Sequence, residues 1–226
     1  MTTASRPKTA PAKARANSRS KDEADEDGTR ATILNVALQE FSRLGLSGAR
    51  IDAIAAESGI NKGMIYYYFG SKEDLYVAAL EESYRRFREI EGGLQIDDSL
   101  PPVPALRRLV GASFDFHAAH PEFIRMVMSE NIHQGEYIRK IPELRAINRS
   151  AITVLERLCR RGIEEGVFRP GIDPVDLHMT ISALSFYNVS NRHTFGFIFE
   201  RDLGAADVHA ARRASVVDTV LRAVRA

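Results

Sequence analysis

Residues 29–76 read TRATILNVALQEFSRLGLSGARIDAIAAESGINKGMIYYYFGSKEDLY. Ile33, Leu34, Ala37, Leu38, Phe41 and Leu44 recur at helical spacing, which predicts a first helix over about Thr29–Leu44. Thr29 is a candidate N-cap, and Gly45 suits the left-handed stop. A second helix is expected over about Ile51–Ser58, followed by a sharp turn at Gly59. Asn61 is placed to cap a third helix of about two turns, which Gly70-Ser71 ends. Ser71 with Asp74 resembles a capping box for a long fourth helix reaching about Glu91.

The third helix opens on Asn61-Lys62-Gly63 and carries Tyr66, Tyr67 and Tyr68. A short, aromatic, lysine-led helix after a glycine turn is poorly suited to catalysis and well suited to a DNA major groove. Its N-terminus offers unpaired N–H groups and a partial positive charge to a phosphate. Gly63 permits close backbone approach, and Lys62 can reach a guanine edge or a phosphate. Tyr66 and Tyr67 can bond phosphates and pack against sugar or a thymine methyl. Lys72 can hold a phosphate from the start of the fourth helix, with Arg30 and Arg50 as weaker candidates. Ile65, Tyr68 and Phe69 share one face and are expected in the core.

Working outward, residues 1–28 contain almost no large apolar side chain, and a disordered tail is expected there. Six cations from Arg6 to Lys21 precede five acids from Asp22 to Asp27. A basic arm can touch phosphates, but an acidic run beside the head repels DNA, so a solvated tail is the favoured reading. Beyond the fourth helix, Gly92–Pro104 reads as a joint. Every later segment reads helical: about 105–119, one from Pro121, about 142–165, one from Asp173-Pro174 to about Ser190, and about 207–224. The class expected is all-α, with a three-helix head over 29–76 and a larger helical domain over 105–226.

The 226 residues carry a net charge of +1, so bulk charge does not announce a nucleic-acid partner and local placement must supply it. The single cysteine, Cys159, allows no internal disulfide, and the N-terminus lacks the apolar segment of a secretory signal. No stretch is long and apolar enough to span a bilayer, so a cytoplasmic protein without a membrane partner is expected. No G-x-G-x-x-G, Walker loop, G-x-S-x-G or H-E-x-x-H is present, so neither an enzyme nor a cofactor is expected.

Ile54-Ala55, Gly59, Lys62-Gly63, Ile65 to Phe69 and Ser71 to Leu75, set in this all-helical frame, resemble the TetR family of transcriptional regulators. The motif covers about the first third of the folded part; the body is similar only in helix count and length. Two departures stand out. Family members commonly begin the second helix with Thr or Ser, where this chain has Ala49-Arg50, and Tyr68 replaces the usual histidine. Arg50 can substitute by charge.

The resemblance implies a homodimer on a palindromic operator, released by a small organic effector, and it assigns effector binding and dimerisation to the helical domain over 105–226. By resemblance the last two long helices are the dimer elements. Leu177, Ile181, Leu184, Phe186 and Val189 on one, with Val208, Val216, Val217, Val220 and Leu221 on the other, supply the apolar surplus. An effector pocket should be apolar with a few polar groups, for which Phe114, His117, Met126, Asn131, Tyr137, Phe186 and Asn188 are candidates. His117 and His120, with His133 or Glu130, have metal-ligand spacing that arises easily by chance, so no metal is expected. The alternative is a metal- or ligand-binding helical protein whose head binds DNA only weakly or structurally.

Overall fold

A computed structural model describes residues 12–94, 96 and 99–226, with side chains from Glu26 onward. Among the described residues every regular element is a helix, and the one extended pairing is an isolated bridge between Phe168 and Arg225. The head comprises α1 (Ala12–Gly48), α2 (Ile51–Ser58) and α3 (Lys62–Phe69). Helix α4 (Lys72–Gly92) leads into α5 (Pro102–Ala119) and α6 (Pro121–Ile132). After a 3-10 turn at Ile138–Lys140 come α7 (Glu143–Glu164), α8 (Pro174–Ser190), α9 (Arg192–Ile198) and α10 (Ala206–Val224).

The caps read from the sequence set the head. Gly59 is left-handed at φ 71°, the Asn61 side chain accepts from the Met64 N–H at 2.9 Å, and Gly70 has φ 77°. Ser71 Oγ accepts from the Asp74 N–H at 3.0 Å and donates to the Asp74 carboxylate at 2.6 Å. Gly45 breaks α1 at φ 67°, which marks the stop expected there.

Helix α1 begins at Ala12 rather than Thr29. Residues 12–28, expected to be disordered, are helical, and residues 1–11 lie outside the described residues. That segment is rich in Ala, Lys, Arg and Glu, which favour helix by intrinsic propensity, so a reading based on apolar content misses it. Thr29 therefore lies inside the helix rather than at its N-cap. Helix α9 was not expected either. It is seven residues long, contains Gly196 and buries no residue, so it leaves no periodic trace.

The head core runs on into the body. Ile33, Leu34, Leu38 and Phe41 of α1 join Leu75, Tyr76 and Leu80 of α4, and Met126, Ile141 and Leu144 complete the cluster. Each large apolar side chain buried there contributes about 1.5–3 kcal/mol, far more than helix propensity supplies. Met126 is therefore core between head and body, not the lining of an effector pocket. A second cluster joins α5, α7, α8 and α10 around Leu106, Val110, Phe114, Leu155, Ile181 and Val217.

The dimer surface expected on α8 and α10 needs correction. Leu177, Ile181, Val189, Val216, Val217, Val220 and Leu221 are buried within the protomer. The apolar residues that α8 turns outward are Val175, Met179 and Tyr187, which with exposed Ala183 recur every fourth position.

Candidate nucleic-acid interface and effector cavity

In α3, Ile65 and Phe69 are buried, and the ring of Tyr68 is partly covered. The same helix turns Tyr66 and Tyr67 outward at 40% and 74% exposure, which separates them from the core stripe. Asn61, Lys62 and Gly63 are exposed at its start. Lys62 Nζ lies 2.8 Å from the Asp52 carboxylate of α2. That hydrogen bond and charge hold the Lys62 pKa above and the Asp52 pKa below their ordinary values. Lys62 is thus half of an exposed ion pair at the start of α3.

Lys72 Nζ donates to the Ser47 carbonyl at 3.4 Å, which fastens the start of α4 to the segment entering α2. Arg30 is exposed with its guanidinium 5.3 Å from the Phe69 ring centroid, at the far end of α3. Arg50 stands at the N-cap of α2 in an extended conformation, its side chain giving no cap. The α2 entry is instead held by a residue the sequence reading missed. Glu40 of α1, buried to 5% exposure, accepts from the Arg50 N–H at 3.4 Å and from Arg43 Nη2 at 2.6 Å. The signal was an acid inside the apolar stripe between Leu38 and Phe41. Glu40 binds the amide from across the turn where a Thr or Ser would cap locally, and it leaves the Arg50 side chain outward.

The seven effector candidates do not surround one cavity. Phe114 belongs to the body core and Met126 to the head core. Asn131 is exposed and donates to its own helix at the Val127 carbonyl, 2.8 Å away. Tyr137 packs edge-on against Tyr76 at 5.2 Å. His117 is buried among Phe87, Phe123 and Phe186. Asn188 lies in a different pocket, beside α9 and α10. The histidines do not converge on a metal. His120 meets Glu122, His133 meets the Ser129 carbonyl, and Glu130 accepts from Tyr76 and from the Tyr137 and Ile138 amides.

A cavity of about 270 Å³ does lie between α4, α5, α7 and α8. Its wall is aliphatic, from Leu109, Ala151, Val154, Leu155 and Ile181, rather than rich in Phe, Met and Tyr. Its polar groups are Arg88, Glu91, Ser113, Ser150, Arg157 and His178, and Arg157 donates to the Ile96 carbonyl at 2.8 Å. Arg88 pairs with Glu91 through Nη1 and donates from Nε to Asn148 at 2.8 Å. Burial pushes the Glu91 carboxyl up, against the pull of Arg88 and Ser113. Burial, then Arg88, pushes the His178 imidazole down, so it lines the cavity uncharged at neutral pH. Ser113 and His117 are one turn apart on α5, which makes His117 a neighbour of this wall.

Comparison with known proteins agrees with this architecture. Residues 33–79 match the family described as bacterial regulatory proteins, tetR family, and residues 102–220 match the tetracyclin repressor-like C-terminal domain. The HTH-type transcriptional repressor NicS of Pseudomonas putida is 38% identical over 199 residues, 88% of this chain and 93% of its own length. The HTH-type transcriptional repressor SCO4008 of Streptomyces coelicolor is 33% identical over 168 residues, 73% of this chain and 80% of its own. Among solved structures, the transcriptional regulator SCO4942 of S. coelicolor is similar at TM-score 0.66 and 27% identity, over 87% of this chain and 98% of its own. FadR of Bacillus subtilis, solved with stearoyl-CoA, shares the fold at TM-score 0.64 and 20% identity, over 84% of this chain and 97% of its own. Head, connecting helix and helical body thus meet both halves of one family pattern, and the chain belongs to the TetR family as a DNA-binding transcriptional regulator rather than an enzyme.

Proposed function

We propose that this regulator is a cytoplasmic homodimeric repressor that holds a palindromic operator and releases it when a small organic effector enters the cavity between α4, α5, α7 and α8. The observation that carries the reading is the course of α4. Ser71 and Lys72 start it at the DNA face, and Arg88, Glu91 and Gly92 end it in the cavity wall. Twenty-one residues at 1.5 Å rise make a lever of about 30 Å. A ligand that prefers one setting of this helix shifts operator affinity, and by linkage the operator shifts ligand affinity equally. Tyr66, Tyr67, Lys62, Lys72 and Arg50, with Asn61 and Gly63, form the reading face, and Arg30 sits at its edge. Two such heads suit half-sites about one helical turn apart or somewhat more. The relatives at 38% and 33% identity are both named repressors, which supports repression over activation.

The test is a thermal-shift screen of small organic molecules on the protein, followed by operator release with each hit. Val154→Phe fills the cavity from α7. It should keep operator binding and lose both the thermal shift and the release. Hits that stabilise Val154→Phe as well as wild type would place the effector elsewhere.

A further inference from the structure

We propose that a second pocket, between α8, α9 and α10, binds a small organic anion, a carboxylate on an aromatic or apolar body. It holds about 400 Å³ and is separate from the α4 cavity. The rings of Tyr187 and Phe195 stand edge to face at 6.1 Å in its wall, a surface suited to a flat apolar body. Its polar groups are Asn188, Arg201, Arg212 and Ser215, and no acid lines it. The adjacent Asp202 is not part of the lining and accepts from the Gly204 N–H at 2.7 Å.

The donors are left without acceptors. Asn188 is 3% exposed, and its side-chain Nδ2 has no hydrogen-bond partner. Among the described residues the side chains of Arg201 and Arg212 make no ion pair or hydrogen bond. A buried amide without a partner is destabilising, and a carboxylate accepting from Asn188 and the two guanidinium groups satisfies it. Two unpaired cations and a buried donor select an anion over a neutral or cationic ligand of the same shape.

The test uses the full-length protein and three probes of one shape: benzoate, benzyl alcohol and benzylamine. Benzoate should bind saturably at millimolar concentration, and the other two should not compete with it. Arg212→Gln should weaken benzoate by about tenfold or more, as loss of a charge-assisted contact implies. Arg88→Gln, in the other cavity, should leave it unchanged. Asn188→Leu should abolish benzoate binding while holding or raising the melting temperature of the free protein, because the orphaned amide is gone. Equal binding of all three probes, no saturable benzoate binding, or loss of binding in Arg88→Gln alone would each overturn the proposal. So would dissociation of a dimer by Arg212→Gln at unchanged benzoate affinity, which would give the arginine to a carboxylate of the second copy.

Discussion

The Tyr76 hydroxyl donates to the Glu130 carboxylate at 2.8 Å, joining α4 to α6 in a fully buried bond. The other Glu130 oxygen accepts from the Tyr137 and Ile138 amides at 3.2 and 2.9 Å. One carboxylate thus collects three donors where the head core passes into the body. Tyr76→Phe keeps the edge contacts to Phe41 and Tyr137 and removes only the hydroxyl. It should cost about 1–3 kcal/mol in urea unfolding, with operator binding retained below the transition. Glu130→Gln should also cost stability, because a neutral carbonyl replaces a charged acceptor on the Tyr137 and Ile138 amides. Unfolding curves that superpose on wild type for both variants would remove this bond from the junction's stability.

On the proposed DNA face, the Lys62–Asp52 pair predicts opposite effects from its two members. Lys62→Ala removes a cation, and Lys72→Ala removes another; each should weaken binding to all sequences and lower the salt slope by about one. Asp52→Asn frees Lys62 and deletes an anion beside it, so it should tighten binding to non-operator DNA. Salt titrations of the three variants check this. An Asp52→Asn protein indistinguishable from wild type would mean that Lys62 does not face DNA.

The head was legible because its caps are local: Gly59, Asn61 and Ser71 each fix a boundary within three residues of themselves. The cavity was not, because it depends on which faces of four helices meet. Helix α8 is apolar on most sides, so its sequence does not say that Ile181 faces inward and Met179 outward. Met126 reads as lining, yet α6 packs on α1 and takes it into the head core. Met126→Ala should therefore reduce stability and operator binding together, through the space left behind.

Acid should destabilise the protein through His117. Burial, reinforced by Arg88 and His178, pushes its pKa from 6.5 down to about 4. The folded state keeps the ring neutral, while the unfolded chain takes up a proton below about 6.5. The stability linked to His117 is full above that value and falls as pH drops toward about 4, by roughly 3 kcal/mol. His178 is shifted the same way and adds to the slope. Urea unfolding at pH 7 and pH 4.5 should show a shallower acid loss in His117→Leu, and also in His117→Phe, which keeps an aromatic ring among Phe87 and Phe123. Equal acid slopes in wild type and both variants would show that the ring is accessible to protons in the folded state.

The outward ridge of α8 locates the proposed dimer contact. Val175, Met179 and Ala183 recur at i, i+4, the spacing of ridges that interdigitate between helices. Helix α10 turns out Ala214, a small residue that allows close approach. A two-fold contact uses each side chain twice, so Met179→Asp removes two apolar contacts and buries two carboxylates. At about 1.5–3 kcal/mol per apolar side chain, dimer affinity should fall by about two to three orders of magnitude or more. Sedimentation at micromolar concentration should then show a monomer for Met179→Asp and a dimer for wild type and Lys72→Ala. Operator affinity should fall in both variants for different reasons: Met179→Asp should recover at high protein concentration, and Lys72→Ala should not. A Met179→Asp protein that sediments as a dimer would put the contact on another face.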